Sequence, residues 1–141
     1  MPKTGQRRRR LLYIEDHAES VARVQRLLAG RKDLLLLHAP DLDLGIKLAR
    51  SKRPEVILIN IDLRGPRELG ASRLLALLRG DPGMPAAPIL VLSADATPNA
   101  VVKGLEAGYF HYLTQPLEAE PFMEALEYAL EFAALEQAEQ H

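Results

Sequence analysis

Residues 54–65 read Pro-Glu-Val-Ile-Leu-Ile-Asn-Ile-Asp-Leu-Arg-Gly, and their pattern is the strongest indication of the fold class. Its apolar run Val56–Ile59 is short and uninterrupted, follows Pro54, and ends in a polar loop, which predicts a buried strand. Continuous apolar runs of this kind are typical of parallel sheets that are covered on both faces. The polar residues after Ile59 should therefore lie at the carboxyl end of a central strand.

The rest of the chain repeats this pattern, because short apolar runs alternate with longer amphipathic stretches. The predicted strands are Leu11–Ile14, Leu34–His38, Val56–Ile59, Ile89–Leu92 and Phe110–Leu113. The predicted helices are His17–Ala29, Leu42–Ser51, Glu68–Arg79, Asn99–Ala107 and Ala119–Gln137. In the second helix, we expect Leu44, Ile46 and Leu48 to face the core. Gly30, Pro54, Pro88 and Gly108 mark the turns, and the result is a doubly wound (βα)5 domain of the α/β class.

The composition limits the classes of protein to consider. The chain has 141 residues, 48% of them hydrophobic and 26% charged, which is typical of one globular domain. It has no cysteine, which excludes disulfides, thiolate metal sites and cysteine nucleophiles. The apolar runs fall far short of the ~20 residues that span a membrane. The basic start does not lead into an apolar leader segment, so we expect a cytoplasmic protein.

The net charge of −1 gives no general attraction to nucleic acid. The exception is the basic run Arg7–Arg10, which either contacts an anionic partner or forms a solvated arm before the first strand. We favour the solvated arm, because no aromatic residues are interleaved with the arginines. No specific nucleic-acid or membrane partner is predicted.

Polar residues follow the predicted strands at the edge of the sheet where ligands bind in such folds. The first strand runs into Glu15-Asp16, and adjacent carboxylates suit a hard cation such as Mg²⁺. The other interpretation is that Asp16 or His17 caps the first helix, and both stay open at this point. The third strand runs into Asn60-Ile61-Asp62, the fourth into Ser93, and the fifth into Thr114-Gln115-Pro116.

These motifs resemble the receiver domains of bacterial two-component signalling, especially those of hybrid histidine kinases. The segments that carry the resemblance are Leu12–His17, Pro54–Gly65, Pro88–Ala94 and Gly108–Pro116. The resemblance implies a flavodoxin-like sheet in the order 2-1-3-4-5, with two helices on one face and three on the other. It covers about residues 10–130, preceded by a basic arm at 1–9 and followed by an extension of the last helix at 131–141.

Position by position, the resemblance assigns roles to five residues that match the family. Glu15, Asp16 and the backbone carbonyl of Asp62 match the metal contacts. Ser93 matches the hydroxyl that meets the phosphoryl group, and Tyr112 matches the aromatic residue whose rotamer reports it.

Two positions depart from the family: Asn60 replaces the phosphoacceptor aspartate, and Gln115 replaces the lysine. An amide oxygen is a poor nucleophile, and Gln115 has no charge with which to hold a phosphoryl group, so we expect no phosphorylation. The paired change leaves the local formal charge unaltered, and we hypothesise a hydrogen bond between the two amides. No cofactor is expected, and Mg²⁺ should bind weakly.

The aromatic residues concentrate near the fifth strand and on the last helix. Tyr109 lies beside that strand and Phe110 begins it, while Tyr128, Phe132 and Leu135 lie off the core stripe of a helix that is longer than the sheet requires. The core stripe itself consists of Phe122, Leu126, Ala129, Leu130 and Ala133. We predict that the fourth helix, the fifth strand and the last helix form a homodimer or partner surface.

The sequence favours a pseudo-receiver, which is a signalling module that works through protein contacts without phosphorylation. Its partner would be a histidine kinase, an output domain or a second copy. The alternative is a receiver switched by another input, such as a small molecule or metal at the Glu15/Asp16 pocket. An enzyme is not predicted, because Ser93 has no base at an activating spacing. The oligomeric state and the extent of the native protein stay open.

Overall fold

The computed structural model describes residues 8–62, 67–95 and 97–139, and they form a five-stranded parallel sheet flanked by helices. The strands are β1 (Arg9–Ile14), β2 (Leu34–Ala39), β3 (Val56–Asn60), β4 (Ile89–Ser93) and β5 (His111–Thr114). The helices are α1 (Ala18–Leu28), α2 (Leu42–Lys52), α3 (Arg67–Gly80), α4 (Pro98–Ala107) and α5 (Ala119–Glu139). The strand order is β2-β1-β3-β4-β5, which confirms the predicted flavodoxin-like fold.

The two faces of the sheet bury separate apolar clusters, because successive strand residues point to opposite faces. Leu11 and Tyr13 of β1 belong to the cluster covered by α1 and α5. Leu12 and Ile14 belong to the cluster that includes residues of α2, α3 and α4. The helices therefore divide two to three between the faces, as predicted.

Helix α2 packs differently from the prediction. Leu44 is 38% exposed, whereas Gly45 and Ala49 are buried and Ile46 is half-buried. A Cβ atom added to Gly45 would lie 2.5 Å from Cδ1 of Ile14, so the helix approaches β1 more closely than a larger residue allows. The expectation that Leu44 faces the core was wrong, because the closest contact is made by small residues.

Helix α5 buries the predicted core stripe, which consists of Phe122, Leu126, Ala129, Leu130 and Ala133. Its 21 residues extend over roughly 31 Å. Gly108 ends α4 with a φ of 116°, a left-handed conformation that glycine adopts without strain, and this confirms the predicted C-cap. Among the helices of the described ranges, none is long and apolar enough to cross a membrane.

Strand β2 forms one edge of the sheet and begins with four leucines, Leu34–Leu37. Charged residues lie directly before it: Arg31 donates two hydrogen bonds to Asp33, and Arg9 of β1 also pairs with Asp33. The Arg31 guanidinium holds the pKa of the Asp33 carboxyl well below its usual range. Most of the basic arm predicted at 1–9 lies outside the described residues.

Candidate functional site

The carboxyl ends of four strands meet at one edge of the sheet and bring the predicted site residues together. Ile14 of β1 pairs with Ile59 of β3, so Glu15 and Asn60 follow side by side. Asn60 in turn pairs with Leu92 of β4, directly before Ser93. The parallel register therefore places Glu15 within hydrogen-bonding reach of Asn60, with Ser93 on the next strand.

Glu15 is fully buried, and its carboxylate accepts three hydrogen bonds. The hydroxyl of Tyr13 donates to Oε2 over 3.0 Å, and the backbone N–H of His17 donates to Oε1 over 3.1 Å. The amide Nδ2 of Asn60 donates to the same Oε1 over 2.9 Å. A buried carboxylate requires such donors, because burial without them is costly.

Tyr13 is the donor to Glu15 that sequence reasoning missed. Burial raises the pKa of Tyr13 well above its usual value, and the neighbouring Glu15 raises it further. The hydroxyl therefore stays protonated and available as a donor. The signal was present in the sequence, because residues two apart on a strand lie on the same face.

Asn60 is buried, and its side-chain amide is hydrogen-bonded at both ends. Nδ2 donates to Glu15, while Oδ1 accepts from the backbone N–H of Asp62 over 2.8 Å. Within the described ranges, no hydrogen bond joins the side chains of Asn60 and Gln115. The hypothesised amide pair is therefore not formed, because a carboxylate is a stronger acceptor for the Asn60 amide than a second amide would be.

The three positions predicted to contact a metal are arranged differently from one another. Glu15 is buried and already accepts three hydrogen bonds, whereas the side chain of Asp16 is exposed. Oδ2 of Asp62 accepts from the backbone N–H of Ala94 over 3.1 Å, and this bond joins the loops after β3 and β4. In residues 8–62, 67–95 and 97–139, no group of three or more acidic, histidine or cysteine side chains is placed to hold a metal.

Among the described residues, the donor set is not preassembled for Mg²⁺. A cation at the acidic pair would meet the NH₂ group of Asn60, which is a hydrogen-bond donor, on the side where the family has a carboxylate. The oxygen of Asn60 is oriented towards the N–H of Asp62 instead. Direct coordination would require Asn60 and Glu15 to give up hydrogen bonds that they already make.

Ser93 ends β4, Tyr112 lies within β5, and the two residues share the neighbour Asp95. Oγ of the buried Ser93 accepts from the backbone N–H of Asp95 over 3.1 Å. The hydroxyl of Tyr112 donates to the backbone carbonyl of Asp95 over 2.9 Å, and the Tyr112 side chain is only 8% exposed. Backbone hydrogen bonding from Thr97 lowers the pKa of the Asp95 carboxyl.

Gly104 of α4 makes room for the ring of Tyr112. A Cβ atom added there would lie 2.7 Å from Cδ2 of Tyr112, closer than real Cβ contacts occur. The inward position of Tyr112 therefore depends on a glycine at residue 104. Sequence reasoning missed both Gly104 and Asp95, since no motif marks either of them as a neighbour of Tyr112.

The predicted interface residues divide into exposed and buried groups. Tyr128 and Leu135 of α5 are 62% and 66% exposed, and Phe132 is 41% exposed. The ring of Phe110 packs against that of Phe132, with centroids 5.3 Å apart. Tyr109 is buried in the cluster on the other face of the sheet, so its side chain offers little surface. Val102 and Leu105 of α4 are also exposed, which the sequence did not indicate.

Comparison with known proteins supports the same family. The response regulator receiver domain family matches residues 11–127. The transcriptional regulatory protein CseB of Streptomyces coelicolor is 33% identical over 109 residues, which cover 77% of this chain and 43% of that protein. The sensory/regulatory protein RpfC of Xanthomonas campestris pv. campestris is 28% identical over 119 residues, which cover 83% of this chain and 16% of that protein. The chain thus spans less than half the length of these relatives.

The fold also matches a solved structure, the signal receiver domain of a Luxo repressor protein from Vibrio parahaemolyticus. The TM-score is 0.80 at 18% identity, and the match covers 96% of this chain and 99% of that one. The family match, the strand order and the position of the site residues agree with one another. This chain belongs to the response regulator receiver domain family.

Proposed function

We propose that this chain is a pseudo-receiver, a cytoplasmic receiver-domain module of two-component signalling that acts through protein contacts and is not itself phosphorylated. The observation that carries the proposal is the position of Asn60, whose amide is held between the Glu15 carboxylate and the N–H of Asp62. The family has its phosphoacceptor aspartate at this position.

The chemistry of phosphoryl transfer supports this proposal. The reaction needs an anionic oxygen in line with the phosphorus and cations that neutralise the developing charge. Oδ1 of Asn60 is a neutral amide oxygen that already accepts a hydrogen bond, so it is a weak nucleophile. Gln115 supplies no positive charge in place of the lysine. We propose no catalytic activity for this chain.

The contacts of Ser93 and Tyr112 support a module with one preferred state. Both residues are hydrogen-bonded to the backbone of Asp95, and Gly104 accommodates the inward ring of Tyr112. A ligand shifts such an equilibrium only by its differential affinity for the two states. Without a bound phosphoryl group, the arrangement is set by the energies of these internal contacts.

Receiver domains commonly bind Mg²⁺ at their acidic pocket, and we propose that this chain binds it only weakly. The proposal rests on the NH₂ group of Asn60, which occupies Oε1 of Glu15 by hydrogen bonding where the family offers a third carboxylate. The alternative of a metal or small-molecule input at this acidic pocket is less well supported, since the Glu15 and Asn60 side chains already bond to each other.

Receiver domains interact with histidine kinases and output domains, and we propose a partner of this kind or a second copy for α4, β5 and α5. The support is the set of exposed apolar side chains on both helices, which are Val102, Leu105, Tyr128, Phe132 and Leu135. Apolar patches of this kind are typical of interfaces. The likeness to receivers of hybrid histidine kinases stays a prediction. Light scattering at high micromolar concentration tests self-association.

Incubation with acetyl phosphate and Mg²⁺ tests the central proposal. The unmodified protein should acquire no acid-labile phosphate. Asn60→Asp should phosphorylate poorly, because no lysine ammonium lies opposite the new carboxylate, and the Asn60→Asp/Gln115→Lys double variant should exceed the sum of the two single variants.

The matched control is Gln115→Lys alone, which adds the cation without a nucleophile and should stay inert. Mass spectrometry locates any phosphate that forms. Phosphorylation of the unmodified protein at Asp16, Asp62 or Ser93 would refute the pseudo-receiver proposal. An inert but folded double variant would show that more than these two positions separates the chain from an active receiver.

A further inference from the structure

A cavity of about 610 Å³ opens between α1 and the turn that joins β5 to α5. It borders the candidate site through Tyr13 and Gln115, yet five of its twelve lining residues come from α1, which the proposed function does not use. Arg23 of α1 donates a hydrogen bond from Nε to the backbone carbonyl of Leu117, and this bond connects the two walls. The volume lies within the range of roughly 300–1,000 Å³ that is typical of small-molecule sites.

Polar groups without protein partners line this cavity. Across the described ranges, the Arg26 guanidinium, the His17 imidazole and the Gln115 side-chain amide make no hydrogen bond or ion pair. These groups are donors that remain available to a ligand. The exposed residues Ala94 and Pro116 add apolar surface beside them.

The charge of the lining favours an anion. Arg23 and Arg26 lie one turn apart on α1. Among the described residues that line the cavity, Glu19 is the single carboxylate. Guanidinium groups bind phosphate well, because their planar N–H groups match the spacing of its oxygens. The remaining apolar lining suits a flat organic group attached to that anion.

We propose that this cavity binds a small organic phosphate monoester without covalent transfer, with its phosphate on Arg23 and Arg26 and its planar body against Ala94 and Pro116. Gln115, which stands where the family has a lysine, is one of the residues that line this cavity. A lysine there would add a third cation and a longer chain, whereas the glutamine supplies a neutral amide. The inference goes beyond the proposed pseudo-receiver function and does not require it.

Titration with AMP, followed by amide NMR shifts and calorimetry, tests the proposal. AMP should perturb residues around Ser20, Arg23 and Leu117, and adenosine and inorganic phosphate should each bind more weakly because each supplies only half of the contacts. Arg26→Gln should weaken AMP binding by about tenfold, as expected when a charge-assisted contact is lost. Lys47→Gln removes an exposed charge on α2 and should change the affinity by less than about twofold.

Three outcomes would overturn the inference: no AMP binding at low millimolar concentration, shifts centred away from α1 and the β5–α5 turn, or equal binding of inorganic phosphate and AMP. The last outcome would indicate only a nonspecific anion contact. Because AMP binding is reversible and needs no residue at position 60, its result is independent of the acetyl phosphate experiment. The two proposals can therefore fail separately.

Discussion

The carboxyl ends of β1 and β3 lie beside those of β4 and β5 in one sheet. The residues at these two pairs of strand ends resemble those of the receiver family to different degrees. We call the first the input half, comprising Glu15, Asp16, Asn60 and Asp62, where we propose that Asn60 replaces the phosphoacceptor of the family. The output half comprises Ser93, Asp95, Gly104 and Tyr112, and we propose that its hydroxyl and aromatic residues correspond to those of the family.

The buried polar side chains of both halves are hydrogen-bonded, but by different means. In the input half, a buried carboxylate is satisfied by side-chain donors, including the amide of Asn60. In the output half, side chains bond mainly to the backbone of Asp95, and close packing against Gly104 positions Tyr112. Polar contacts therefore fix the side-chain positions in the input half, whereas packing fixes the position of Tyr112 in the output half.

The largest expected loss of stability follows from a substitution in the input half. Glu15→Ala should lower the free energy of unfolding by about 3 kcal/mol, because Tyr13, His17 and Asn60 would lose a buried acceptor. Asp16→Ala is the matched control, since it removes the adjacent but exposed carboxyl, and it should cost less than about 1 kcal/mol. Urea denaturation measures both. Equal losses would show that the hydrogen bonds to Glu15 contribute little to stability.

A smaller loss of stability is expected from a substitution that disturbs packing in the output half. Gly104→Ala should lower the free energy of unfolding by about 2 kcal/mol, because the new Cβ overlaps the ring of Tyr112. A crystal structure should show Tyr112 turned outward and its bond to Asp95 broken. Gly80→Ala is the control: no atom lies within 4 Å of its added Cβ, so stability should hold or rise slightly. A buried Tyr112 in a fully stable Gly104→Ala protein would contradict the packing argument.

The smallest expected losses of stability come from removing one tyrosine hydroxyl in each half. Tyr13→Phe removes a bond to a carboxylate and should cost about 1.5 kcal/mol, whereas Tyr112→Phe removes a bond to a neutral carbonyl and should cost about 1 kcal/mol or less. Denaturation of both variants at pH 7 measures the difference. The reverse order would contradict the idea that polar contacts matter more in the input half.

The pH dependence gives a second measurement on Tyr13. Its folded pKa is raised by burial, so it stays neutral in the folded protein while it ionises in the unfolded chain. Its contribution is therefore complete below the ordinary tyrosine pKa of about 10 and is lost as the pH rises above that value. Stability of the unmodified protein should fall more steeply above this pH than that of Tyr13→Phe. Parallel curves would contradict the assignment.

The sequence predicted the elements of the fold well, because strand and helix periodicities are local properties. The central strand β3 was predicted one residue short, at Val56–Ile59. Strand β1 begins earlier than predicted, at Arg9, because its backbone pairs with Leu34 of β2 although the side chain is polar. Such an extension depends on a partner strand and not on the apolar pattern.

The sequence also placed Glu15, Asn60 and Ser93 at one edge, because parallel strands bring their carboxyl ends together. It did not predict which groups would bond to each other. The choice of Glu15 over Gln115 by the Asn60 amide depends on burial and on side-chain orientation, which the sequence does not specify. The packing of Gly104 on Tyr112 likewise depends on the distance between α4 and β5.

The four leucines of β2 have a consequence for handling the protein in solution. An edge strand leaves one row of backbone donors and acceptors open, and apolar edge strands tend to pair with other copies and aggregate. Arg31 and Asp33 precede this strand and Pro40 follows it, so charges and a residue without an N–H group border the exposed edge. Ion pairs that contribute little to folding can thus protect the chain against intermolecular sheet growth.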